Sequence, residues 1–130
     1  MVEKKRIFIL DDDKVTLDCF KQLLIKDGFD VDALSSSKDA LEDLKAFGPD
    51  LIIMDLFMPC LSGLEMCQML NDDKDTKSIP IIVVSGLCDE ADIKKAYILG
   101  VVSYITKPCD YEKLLREIKK AIYFKEDKTN

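Results

Sequence analysis

Leu51-Ile52-Ile53-Met54-Asp55 limits what this chain can become more than any other stretch. Its apolar residues run without alternation and end on a carboxylate. Gly48-Pro49-Asp50 comes just before, so the run reads as a short, fully buried strand entered from a turn. A strand apolar on both faces fits a parallel sheet covered by helices on both sides. In open sheets of that kind, ligands bind beyond the carboxyl ends of the strands. Asp55 falls at that end, and Pro59 prevents the strand from continuing.

The same design recurs along the chain. Arg6-Ile7-Phe8-Ile9-Leu10 is a second unbroken apolar run, ending in Asp11-Asp12-Asp13. Leu17, Phe20, Leu23 and Leu24 then share one face of a helix that Gly28 stops. Residues 29–34 alternate in part, with Asp30 and Asp32, which predicts a less buried strand near an edge. Ser36 with Asp39 predicts a helix start, and that helix runs to Phe47. Ser62-Gly63-Leu64-Glu65 has the spacing of a capping box and opens a helix that ends near Asn71. Residues 72–78 read as a polar loop. Residues 79–84 form a fourth strand, stopped by Ser85-Gly86. Asp89 caps a helix with Ile93, Ala96 and Tyr97 facing inward, and Gly100 ends it. Residues 101–105 form a fifth strand, closed by Thr106-Lys107-Pro108. Asp110 caps a last helix striped by Leu114, Leu115, Ile118 and Ile122.

Five strands alternating with five helices imply an α/β fold with a parallel sheet. Right-handed crossovers leave few topologies. A doubly wound, flavodoxin-like sheet in the order 2-1-3-4-5 puts the partly polar second strand at an edge. The length of 130 residues suits one domain spanning 1–130, with a polar tail at 125–130.

Composition removes several functions. No apolar run reaches membrane-span length, and the charged N-terminus does not read as a signal peptide. The expected setting is the cytoplasm, without membrane attachment. A net charge of −6 disfavours direct nucleic-acid binding. The 5 cysteines form no C-x-x-C pair, so they read as small apolar residues in a reducing compartment. Histidine is absent, which excludes histidine general-base catalysis and histidine metal ligation.

Polar groups recur where the strands end. The first strand ends at Asp11 and Asp12, the third at Asp55, the fourth at Ser85 and the fifth at Lys107. In the proposed order these groups converge. Crowded carboxylates repel one another and need positive charge to offset them. Lys107 supplies one such charge. A hard divalent cation bound by oxygen ligands supplies the rest, and Mg²⁺ suits a few carboxylates completed by water. A carboxylate beside that ion and a lysine is equipped to take a phosphoryl group. The Ser85 hydroxyl can then hydrogen-bond a phosphoryl oxygen.

With those residues in view, the chain resembles response-regulator receiver domains, including chemotaxis-regulator-like ones. The matching pieces are Asp11-Asp12, Asp55-x-x-Met58-Pro59-x-x-x-Gly63, Ser85-Gly86 and Tyr104-x-x-Lys107-Pro108. The resemblance implies phosphorylation at Asp55, with direct Mg²⁺ ligation by Asp12, Asp55 and the Phe57 carbonyl, and a water-mediated part for Asp11. It implies that Ser85 and Lys107 touch the phosphoryl group, that Tyr104 is a switch aromatic, and that Lys107-Pro108 is cis. The implied donor is a histidine kinase or a phosphotransfer protein. The implied target is a downstream protein partner, an output domain or a second copy pairing on phosphorylation. Gly86, Val101-Val102 and Cys109 depart from the family's usual residues, which bears on partner choice rather than acceptor chemistry.

Two other readings compete. Asp11-x-Asp13 superficially matches haloacid-dehalogenase-type phosphatases, but that reading leaves Asp55, Ser85 and Lys107 partly unexplained. A phosphorylation-independent binding module could use the same fold, yet it has no need of the full polar set. Asp13 itself reads as a helix cap. Phe57 and Leu87 are expected to flank the route of water to the phosphorus. Both are apolar, which predicts slow self-dephosphorylation.

Overall fold

The structure, a computed structural model, describes residues 3–36, 39–58, 62–86 and 89–124. Five strands alternate with five helices: β1 Arg6–Leu10, α1 Lys14–Lys26, β2 Asp30–Leu34, α2 Ala40–Phe47, β3 Leu51–Met54, α3 Gly63–Asp72, β4 Ile81–Ser85, α4 Glu90–Ile98, β5 Val101–Thr106 and α5 Tyr111–Lys119. The sheet order is β2-β1-β3-β4-β5, and every pairing is parallel. This is the expected flavodoxin-like α/β architecture, with β2 at one edge.

The unalternating runs take the centre because both their faces are covered. Every residue of β3 and β4 is buried. Ile7, Ile9, Leu51, Ile53, Ile82 and Val84 face one core, shared with Leu17, Phe20 and Leu24 of α1 and Leu114 and Ile118 of α5. Phe8, Leu10, Ile52, Met54, Ile81 and Val83 face the other, shared with α2, α3 and α4. Each fully buried Leu, Ile or Phe contributes about 2 kcal/mol. By that measure α1 is firmly seated, whereas Ala96 is the one fully buried residue of α4.

Capping follows the sequence closely. Asp13, Ser62, Asp89 and Asp110 each accept backbone N–H bonds at the start of α1, α3, α4 and α5. Gly28 and Gly100 adopt positive φ beyond the ends of α1 and α4.

Some boundaries differ from expectation. Ser36 does not open α2. The helix begins at Ala40 after Asp39, which is left-handed and makes no side-chain cap. β4 begins at Ile81 rather than Ile79, and β5 extends to Thr106. Leu114, Ile118 and Ile122 are buried as the stripe predicted, but the helix continues beyond Lys119 as a π-helical turn, Lys120–Phe124. Ile93 is only half-buried. Tyr97 is 48% exposed instead of facing inward. Its ring lies toward solvent, and its hydroxyl reaches the backbone of β5. The expected tail at 125–130 lies outside the described residues.

Candidate functional site

Register brings the polar strand ends together. Leu10 pairs with Met54, so Asp11 and Asp55 emerge side by side from β1 and β3. The ladder continues one step further: the Asp55 N–H donates to the Leu10 carbonyl at 3.0 Å, and the Asp11 N–H to the Leu34 carbonyl at 3.1 Å. On the other side Ser85 pairs with Thr106. The Lys107 N–H then donates to the Ser85 carbonyl at 2.8 Å, carrying Lys107 to the same rim.

Asp11 and Asp55 are 4% and 5% exposed. Each uses both carboxylate oxygens. Asp11 Oδ1 accepts the Asp13 N–H at 2.9 Å, and Asp55 Oδ1 accepts the Phe57 N–H at 2.9 Å. The remaining oxygens both accept from the Lys107 ammonium, at 3.0 Å for Asp11 and 2.9 Å for Asp55. These backbone bonds two residues on are Asx turns, which fix the carboxylates' direction as the chain leaves the sheet.

The electrostatics follow. Burial pushes the Asp11 carboxyl above its ordinary range, although the Asp13 N–H and Lys107 pull the other way. Burial of Lys107 works to lower its pKa, but the bonds to Asp55 and Asp11 outweigh it and the net shift is upward. Lys107 therefore stays an ammonium at neutral pH, shared between two buried acids.

Asp12 is exposed beside them. Asp11, Asp12 and Asp55 each offer an oxygen, all within 4.8 Å of one another. This all-oxygen carboxylate set fits a hard divalent cation such as Mg²⁺. Asp13 takes no part in it. Its Oδ1 accepts from the Val15 and Thr16 N–H groups, and its Oδ2 from the Thr16 hydroxyl at 2.7 Å. The Thr16 bonds hold its carboxyl below the ordinary range.

Ser85 is fully buried at the end of β4. Tyr104 is half-buried against the second core. Phe57 keeps its ring largely in solvent, at 68% exposure. The Lys107-Pro108 bond is cis, as the resemblance implied. Pro59, Cys60, Leu87 and Cys88 lie outside the described residues.

Sequence reasoning missed two contributors. Gly63 begins α3 directly against the chain that follows β3: a Cβ there would lie 2.3 Å from Leu56 Cα and 2.7 Å from the Asp55 carbonyl oxygen. Its place in the Met58-Pro59 motif was a signal, but the contact crosses the loop and has no signature in spacing. Tyr97 was read as core, yet its hydroxyl accepts the Tyr104 N–H at 3.1 Å.

Comparison with known proteins agrees with this fold. The family model for the response regulator receiver domain matches residues 7–119. The polar-differentiation response regulator DivK of Brucella ovis is 30% identical over 115 residues, which are 88% of this chain and 94% of that protein. A CheY-like response regulator receiver domain protein from Methanospirillum hungatei superposes with a TM-score of 0.91 at 27% identity, over 97% of this chain and 99% of that one. The phosphorylated cyanobacterial phytochrome response regulator RcpA is 28% identical with a TM-score of 0.79, over 93% of this chain and 95% of that one. With that family model matching residues 7–119 of its fold, the chain belongs to the response regulator receiver domains of two-component signalling.

Proposed function

We propose that Asp55 is the phosphoryl acceptor of this receiver and that its modification switches a partner-binding or dimerisation surface. The observation that carries this reading is the single ammonium of Lys107 shared by two buried carboxylates. One ammonium leaves that pair, with Asp12 beside it, short of positive charge. Such a site favours a cation now and a phosphoryl group held by the same charges later.

In the transfer, an Asp55 carboxylate oxygen forms a bond to phosphorus. The bond from phosphorus to the donor's histidine nitrogen breaks, and the nitrogen keeps the electron pair. Lys107 then stabilises negative charge on the phosphoryl oxygens, and the Ser85 hydroxyl hydrogen-bonds one of them. Asp12, Asp55 and the Phe57 carbonyl would hold Mg²⁺ directly, with Asp11 acting through water. That ion would supply positive charge to offset the phosphoryl oxygens. The donor class is a histidine kinase or phosphotransfer protein. The recipient of the signal is a protein partner, an output domain or a second copy.

The reaction is confined to gain and loss of the phosphoryl group at Asp55, in the cytoplasm. Among the described residues no helix is long and apolar enough to cross a membrane. The phosphatase alternative fares worse, because Asp13 spends both oxygens on capping α1 and its carboxyl is held low, which unsuits it to donate a proton.

The test is incubation with a labelled small phosphodonor and Mg²⁺. Wild type should label and Asp55→Asn should not. Equal labelling of the two would refute the assignment.

A further inference from the structure

Tyr97 stands apart from its own helix's packing. It is half-exposed, yet its hydroxyl accepts the Tyr104 N–H at 3.1 Å. Tyr104 pairs in register with Val83, and β5 is the last strand of the sheet. In a parallel ladder, alternate residues of such an edge strand direct their N–H groups away from the sheet. The Tyr97 hydroxyl covers one of these.

The bond matters because little else holds α4. Its one buried residue is Ala96, against three for α1 and four for α3. Elements with few buried apolar contacts open at low free energy. The chain also ties α4 to the site, since Ser85 ends β4 and Asp89 already caps α4. On the acceptor reading of Asp55, movement of Ser85 toward a phosphoryl group would bear on the start of this helix, the one with the fewest buried residues.

We propose that the Tyr97 hydroxyl is a latch that holds α4 to the free edge of β5 in the unphosphorylated protein and is released when Asp55 is phosphorylated. The inference rests on the acceptor reading of Asp55. A bond present in one conformer only biases the equilibrium against the other by its own free energy. For one hydrogen bond that bias is about two- to tenfold. Tyr97→Phe removes the hydroxyl and keeps the ring, so it should shift the protein toward the phosphorylated conformer.

The experiment combines labelling of Asp55 by a small phosphodonor with amide hydrogen exchange at Tyr104. In wild type with Mg²⁺ alone, the Tyr104 amide should be protected, and protection should fall as Asp55 labels. Tyr97→Phe should lose that protection without phosphodonor and label about two- to tenfold more at a limiting donor concentration. Unchanged exchange across β1 and β3 shows that the variant is folded. If Asp55 labels while Tyr104 protection stays constant, or if Tyr97→Phe labels like wild type, the latch is wrong and the acceptor assignment stands. If wild type does not label, both fall together.

Discussion

Lys107 donates from Nζ to Asp55 Oδ2 at 2.9 Å across a separation of 52 positions in sequence. The same ammonium holds Asp11 Oδ2 at 3.0 Å. Removing it leaves two nearly buried carboxylates without a counter-charge. Breaking a buried pair from one side costs about 3–5 kcal/mol, and the partial exposure of Lys107 places this case at the lower end. Lys107→Ala should therefore lose about 3 kcal/mol in chelator, by urea denaturation. Added Mg²⁺ should return part of that loss. A variant as stable as wild type in chelator would mean that the ammonium is not what makes the acidic pair tolerable.

Asp12 provides the converse case. It is exposed, so Asp12→Ala should change stability in chelator by no more than about 0.5 kcal/mol. Wild type should gain about 2.7 kcal/mol when Mg²⁺ is at 100 times its Kd. The variant should gain far less at the same concentration. Thermal melts with and without Mg²⁺ separate the two effects, and an equal gain in both proteins would remove Asp12 from the metal site.

Gly63 packs against the backbone just after β3. A methyl group there would lie 2.3 Å from Leu56 Cα, which is backbone and cannot swing aside. Overpacking against a rigid neighbour costs about 1–3 kcal/mol, and a backbone clash lies at the top of that range. Gly63→Ala should lose about 3 kcal/mol. Because the displaced residues follow Asp55 directly, labelling at Asp55 should also fall under conditions where the variant remains folded. Normal stability together with normal labelling would show that the loop absorbs the methyl.

Much of this site was legible because β1 and β3 announce themselves. Ile7-Phe8-Ile9-Leu10 and Leu51-Ile52-Ile53-Met54 have no polar face, so only the sheet centre suits them, and their carboxylates then fall at one rim. The edge position of β2 followed from Asp30 and Asp32 in the same way. What escaped is tertiary. Helical periodicity places Tyr97 with Ala96 on the buried side of α4, but a tyrosine can lie along the boundary and spend its hydroxyl on a neighbouring strand. Ser36 looked like a cap, yet α2 starts after a left-handed Asp39 with no side-chain bond. Nor does sequence reveal that Arg6 stacks on Phe47 and donates to its carbonyl at 2.7 Å, tying the start of β1 to the end of α2.

The lifetime of the phosphorylated state should depend on Phe57. Its N–H is committed to Asp55 Oδ1 at 2.9 Å, so its backbone is fixed beside Asp55. Its ring is 68% exposed to solvent. An apolar ring there has no group to hold an attacking water in line with the phosphorus, and orientation is a large part of such a step. Phe57→Asn keeps the backbone bond and adds a side-chain amide able to orient water. The decay of labelled protein after removal of phosphodonor should quicken several-fold, while the initial labelling rate stays within about twofold, because transfer onto Asp55 does not use that water. Leu87, the other residue expected along the water route, lies outside the described residues, so Phe57 carries the test alone. An unchanged decay rate would mean that access, not orientation, already limits hydrolysis.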